Sequence, residues 1–136
     1  MTLLKKKISS ADHMIDFGKH VATRAIPPFQ IHLIGQIGAG KTTFARGFIL
    51  GLGFVGPVKS PTFTIVETYS KGSCTVSHFD LFRLKSAEEL VHIGFDDYFD
   101  SNSIILIEWP ELALGVLPNP DLTIRIGVSG DSREIL

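Results

Sequence analysis

Apolar side chains recur along this chain in two alternating registers, one helical and one extended. Met14, Phe17 and Val21, with Ile26 beyond them, follow helical spacing behind the capping oxygens of Ser9, Ser10 and Asp12. That spacing predicts an amphipathic helix over Ala11–Ala25, stopped by Pro27-Pro28. The mostly apolar run Phe29–Ile34, FQIHLI, reads as a strand buried on both faces, as the interior of a parallel sheet requires. Lys41–Leu52 reads as a second helix, ended by Gly51 or Gly53.

The remainder is strand-rich. Phe63–Tyr69 and Cys74–Asp80 carry the β-branched and aromatic residues that suit strands. Ser86-Ala87-Glu88-Glu89 has the form of a capping box opening a short helix through His92. Ser103–Trp109, SIILIEW, is a strongly apolar strand, and Asp121–Val128 alternates as an edge or antiparallel strand does. The expected architecture is α/β, a mixed sheet flanked by helices, with no repeat and no linker long enough to divide two domains.

Composition narrows the class. The 136 residues fit one compact domain, and 44% hydrophobic with 20% charged residues excludes a disordered tail or a fibre. Thirteen basic against fourteen acidic side chains leave a net charge of −1, which argues against a protein built to grip nucleic-acid backbone. A single cysteine, Cys74, excludes an internal disulfide and a multi-cysteine zinc site, and suits a reducing compartment. The charge-free stretch Gly47–Val58 is too short and glycine-rich to span a bilayer. Lys5–Lys7 is followed by the polar run ISSADHMID rather than an apolar core, so no export signal is expected and the cytoplasm is the expected location.

The chemistry lies at Gly35–Thr42, GQIGAGKT, which matches G-x-x-x-x-G-K-[ST] in full. Glycines admit positive φ, so successive backbone amides can turn toward an anion, and the following helix aims its positive end at the same place. Lys41 adds a compact cation for the outer phosphates, and Thr42 offers a hydroxyl to Mg²⁺. The four fixed positions arise by chance in roughly one chain in two hundred of this length, at average residue usage. An apolar strand before the motif and a helix after it sharpen the assignment to a P-loop NTPase-like domain spanning 1–136. No N-K-x-D stretch of guanine-specific proteins is present, which favours ATP.

Two strands end in an acid after an apolar run: VSHFD at Asp80 and IILIE at Glu108. Ligands of open α/β sheets collect beyond the carboxyl ends of strands, so both acids are placed to reach the P-loop. One would hold the ion, directly or through water, and the other would orient the attacking water; either acid fits either role. Ser60-Pro61-Thr62 reads equally as a loop sensing the terminal phosphate, through Thr62, and as a plain proline turn. Burial is the default for Trp109, with a place lining the nucleotide or a partner surface as the minority reading. His78 reads as a packed or hydrogen-bonded histidine, and Arg46 and Arg83 as exposed arginines.

Taken in order, GQIGAGKTTFARGF, VKSPTFTIVETY, HFDLFRL, EELVHIGFDDYF and IEWPE resemble the small bacterial P-loop ATPase of tRNA threonylcarbamoyladenosine biosynthesis, the TsaE family. The resemblance runs from about Ser10 to Ile126. It implies a slow ATPase that works with a threonylcarbamoyl transferase subunit and its inactive paralogue (the TsaD and TsaB families), modifying adenosine 37 of tRNA, with any tRNA contact made through the complex. It implies Gly38, Ala39, Gly40, Lys41, Thr42 and Thr43 at the phosphates of ATP, and Thr42 and Glu108 at Mg²⁺, with Asp80 as the Walker-B-like acid. Lys41, Asp80 and Glu108 would carry the catalysis, and Thr62 and Trp109 also match family positions. The backbone near Ala11 and the side chain of Arg133 would flank the adenine. Met14 departs from the pattern, standing where members often carry threonine. Two competing readings of the same motif are a small-molecule P-loop kinase, which calls for an arginine-bearing lid, and a non-catalytic nucleotide-sensing adaptor.

Overall fold

The structure, a computed structural model, describes residues 5–130 and the backbone of 132–135. Its centre is a parallel set of strands grown from the apolar runs of the sequence. Strand β2 (Phe29–Ile34) lies between β5 (Ser103–Glu108) and β6 (Leu122–Ser129), parallel to both, and β5 pairs in parallel with β4 (Cys74–Asp80). Antiparallel strands close the two sides: β3 (Val66–Lys71) on β4, then β7 (Ser132–Ile135) on β6 with β1 (Lys6–Ile8) beyond it. The seven strands run in the order β1-β7-β6-β2-β5-β4-β3.

Two helices cover one face. Helix α1 (Ala11–Ala22) opens where the Ser10 hydroxyl accepts from the His13 amide at 3.0 Å, and α2 (Lys41–Gly51) follows the glycine-rich loop. They meet backbone to backbone. A Cβ on Gly18 would overlap the Phe44 carbonyl, and one on Gly47 would overlap that of Ile15, so glycine at both positions lets the helices touch. Phe44, Phe48 and Ile49 of α2 then pack with Met14 and Ala22 of α1 on Ile31, Leu33, Val76, Ile104, Leu106, Ile124 and Ile126. Burial of this apolar face is the main force holding helices to sheet. The opposite face is covered more thinly, by α3 (Glu88–His92) and two 3-10 turns at Phe95–Tyr98 and Pro110–Ala113 over Phe79, Ile105 and Ile107. No helix among the described residues is long and apolar enough to cross a membrane.

The sequence expectations differ from the structure at identifiable places. Helix α1 ends at Ala22, because Thr23 turns its hydroxyl onto the His20 carbonyl at 2.6 Å and the chain must leave helical geometry before Pro27. Strand β3 starts at Val66 rather than Phe63: residues 62–64 form a turn, and Ile65 takes a left-handed φ of 70°. Strand β5 stops at Glu108, since Trp109 turns out of the sheet at φ 61°. No side-chain cap forms at Ser86; the Glu89 carboxylate accepts from the Lys85 amide instead, at 2.8 Å, and α3 begins at Glu88. Of the two readings of β6, edge or antiparallel, the antiparallel one holds against β7 and the edge one does not. Its alternation, Ile124 and Ile126 in against Arg125 and Gly127 out, reflects one covered face, while β7 pairs along its outer side. Strands β1 and β7 have no counterpart in the sequence reading, for β1 is three residues long, opens on two lysines and buries only Ile8.

Candidate active site

At the carboxyl end of β2 the chain passes through residues 35–40 into α2. Gly38 and Gly40 take φ of 79° and 113°, values an L side chain rarely adopts, and Gly40 stands at the N-cap without a side-chain cap. The start of α2 therefore opens into a cleft of about 370 Å³ lined by Gly38, Gly40, Lys41, Thr42, Thr43, Thr62, Asp80, Glu108 and Trp109, with Ile37 and Phe82 at its sides. One short stretch of loop and helix thus faces two acids from neighbouring strands.

Sheet register aligns those acids. Asp80 and Glu108 are partners in the β4–β5 ladder, at the last residue of each strand. Both are buried, at 6% and 2% exposure. The Thr42 hydroxyl donates to both oxygens of Glu108, at 3.1 and 3.0 Å, and so ties α2 to β5 across the cleft floor. Asp80 accepts from the Phe82 amide at 3.0 Å. Burial raises the Asp80 carboxyl above the ordinary range, and the Glu108 charge adds to it, against the lowering influence of Phe82, His78 and Lys41.

Lys41 is buried and its ammonium donates to the Gly35 carbonyl at 2.5 Å, lying 3.4 Å from the centre of the Trp109 ring. Burial pulls its pKa down, while Glu108, Glu111 and Asp80 hold it up. Trp109 is thus half-buried over the lysine, tilted against Phe82 at 5.1 Å between ring centres, and lines the cleft rather than filling the core. Thr62 lines the same cleft and shares a 2.7 Å hydroxyl contact with Ser60. A second hollow, about 230 Å³, lies between α1 and the loop and shares Gly38, Gly40 and Thr43 with the cleft; Ala11, Ser10, Ile8 and Met14 line it.

The donors that converge here suit magnesium. A hydroxyl and two carboxylates, all hard oxygen donors, meet beside a loop open to phosphate, and Mg²⁺ is commonly held by one or two carboxylates with phosphate and water completing its shell. No cluster of three or more His, Cys, Asp and Glu that could cage a metal alone occurs among the described residues.

Comparison with known proteins places the chain in a family. The profile described as "Threonylcarbamoyl adenosine biosynthesis protein TsaE" matches residues 8–135. The chain belongs to the TsaE family. The tRNA threonylcarbamoyladenosine biosynthesis protein TsaE of Haemophilus influenzae is 41% identical, the match covering 99% of this chain and 89% of that protein. The Bacillus subtilis protein of the same name is 38% identical over 99% of this chain and 85% of its own length. The crystal structure of Bacillus subtilis YdiB superposes with a TM-score of 0.81 at 34% identity, covering 97% of this chain and 82% of that one.

Of the residues singled out in the sequence, Gly38, Gly40, Lys41, Thr42, Thr43, Thr62, Asp80, Glu108 and Trp109 line the main cleft of this TsaE-family chain. Ala39 is buried and lines the second hollow, with Ala11. The Arg133 side chain lies outside the described residues. Arg83 is exposed and stacks over Phe63 at 4.4 Å, and Arg46 is exposed on α2. Two contributors escape the motif reading. The Gly35 carbonyl holds Lys41, and His78 contacts Glu108, a contact whose only sequence signal is the alternation that sets positions 78 and 80 on one face of β4.

Proposed function

We propose that this chain is a Mg²⁺-dependent ATPase that serves as the accessory subunit in forming N6-threonylcarbamoyladenosine at position 37 of tRNA, in the cytoplasm. The observation that carries the reading is the convergence of Thr42, Glu108 and Asp80 on the cleft floor, directly beside the glycine loop and Lys41. Family membership supports the pathway, and the family's transferase subunit and its paralogue, TsaD and TsaB, are the proposed partners.

In this reading the loop amides and the Lys41 ammonium bind the β- and γ-phosphates, releasing the lysine from the Gly35 carbonyl. Thr42 and Glu108 hold Mg²⁺, which when bound neutralises charge on the phosphate oxygens. Asp80, the acid drawn toward its protonated form, orients the attacking water at the γ-phosphate. The second hollow, lined by Ala11 and Met14, accepts the base. Release of inorganic phosphate from MgATP, by the chain alone and with the two partner proteins, tests this. Slow release that rises with the partners is expected. Phosphate passed to an acceptor would indicate a kinase, and binding without any turnover in the full complex would indicate an adaptor; either result contradicts the proposal.

A further inference from the structure

His78 occupies a place where packing alone favours a hydrocarbon. It sits on the face of β4 that carries Val76 and faces Leu106 across the ladder, and its side chain is wholly buried. The imidazole makes a single hydrogen bond among the described residues, from Nε2 to Glu108 Oε2 at 2.7 Å, while Nδ1 is buried without a partner. A carboxylate only accepts, so Nε2 carries the proton of this hydrogen bond. Leucine at this position would extend the apolar surface and strand no polar atom. What histidine adds is one donor, aimed at Glu108.

Among the described residues, two donors reach the Glu108 carboxylate. Thr42 reaches both of its oxygens and His78 reaches Oε2 alone. Thr42 is also the hydroxyl assigned above to the cation, and a hydroxyl oxygen that turns its lone pairs to a metal directs its proton elsewhere. Among the described residues His78 has no competing partner. We infer that His78 is the positioning residue of this site: its Nε2–H fixes Oε2 from beneath, so that Oε1 keeps one orientation toward the cleft whether or not Thr42 is engaged. This rests on the Mg²⁺-ATPase reading and adds a residue to it.

The test pairs His78→Leu with His78→Gln, since a glutamine amide nitrogen reaches about the same point as imidazole Nε2 and restores the donor. With the full chain and its partner proteins, His78→Leu is expected to lower kcat at least tenfold and to raise the magnesium concentration for half-maximal rate severalfold, with the KM for ATP within twofold. Calorimetry of ADP binding gives a readout besides turnover: the gain in affinity on adding Mg²⁺ shrinks in His78→Leu and returns in His78→Gln. Circular dichroism confirms the fold of each variant, and where His78→Leu fails to fold, His78→Met takes its place. Wild-type values of kcat and magnesium midpoint in the apolar variant overturn the inference. So does a glutamine variant that folds yet fails as badly as leucine, because packing rather than donation would then be the cause. A wild-type chain without magnesium-dependent hydrolysis overturns the underlying function, and this role with it.

Discussion

Two buried polar clusters lie on this sheet, and they are built on opposite plans. One surrounds Gln30 and His32 of β2. Its groups close on one another: His32 Nε2 meets Gln30 Oε1 at 2.7 Å, the Gln30 amide side chain donates to the Asn119 carbonyl at 3.2 Å, and the Gln30 backbone N–H donates to Asp121 at 2.8 Å. The other lies at the carboxyl ends of β4 and β5, where Lys41, Thr42, Asp80 and Glu108 border open space. Burial alone drives the shift in the first cluster, pushing His32 below its ordinary value. In the second, burial and neighbouring charges oppose each other on Lys41 and Asp80. Satisfied polar groups lock a β-strand to the loop beside it; incompletely satisfied charges are what a ligand completes.

The contrast predicts that substitutions in the open cluster cost function without stability, and those in the closed cluster cost stability without function. The largest effect belongs to Lys41→Ala. Removing the ammonium is expected to lower ATP turnover by at least about 100-fold, as loss of a key charge-stabilising donor does. Its thermal midpoint should match or exceed wild type, since a desolvated charge has been removed; unchanged turnover would take Lys41 out of the site. Glu108→Gln follows, with turnover down on the order of 100-fold and a flattened magnesium dependence, while ATP still binds. A normal metal titration would contradict the role given to Glu108.

Asp121→Ala sharpens the other side. It removes the acceptor for the Gln30 backbone N–H and should cost about 1 kcal/mol in urea unfolding, with phosphate release unaltered. The smallest effect is a pH dependence. His32 has a folded pKa below 6.5, so the folded state binds fewer protons than the unfolded chain on the acid side of that value. Stability is therefore lost as pH falls through 6.5 toward the lowered pKa. His32→Gln, which does not titrate, should flatten this limb of the stability curve; identical curves would show that His32 carries none of it.

The open cluster is more legible in the sequence than the closed one. A P-loop is a contiguous pattern, and an acid ending an apolar strand is a local signal, so Lys41, Thr42, Asp80 and Glu108 can each be singled out before any contact is known. Strands β2 and β4 are likewise visible with their ends, β2 as a mostly apolar run and β4 from its β-branched and aromatic residues. What pattern hides is long-range. Alternation leaves β6 open between an edge and an antiparallel strand, and only the pairing with β7 decides for the second; no periodicity marks a three-residue strand such as β1. Trp109 leaves the strand through a left-handed turn and reaches back over Lys41, a contact set by backbone geometry rather than residue type. The His78–Glu108 bond joins positions thirty residues apart, and only the ladder register brings them together.

Nuclear magnetic resonance of the ¹⁵N-labelled chain during titration with Mg²⁺ and ADP tests the nucleotide-binding loop most directly. The amides of Gly38 through Thr43 and the indole N–H of Trp109 should shift together and saturably, with the resonances of Gln30 and His32 unmoved. Loop amides that stay in place at saturating nucleotide, or shifts centred on the Gln30–His32 cluster instead, would contradict the account.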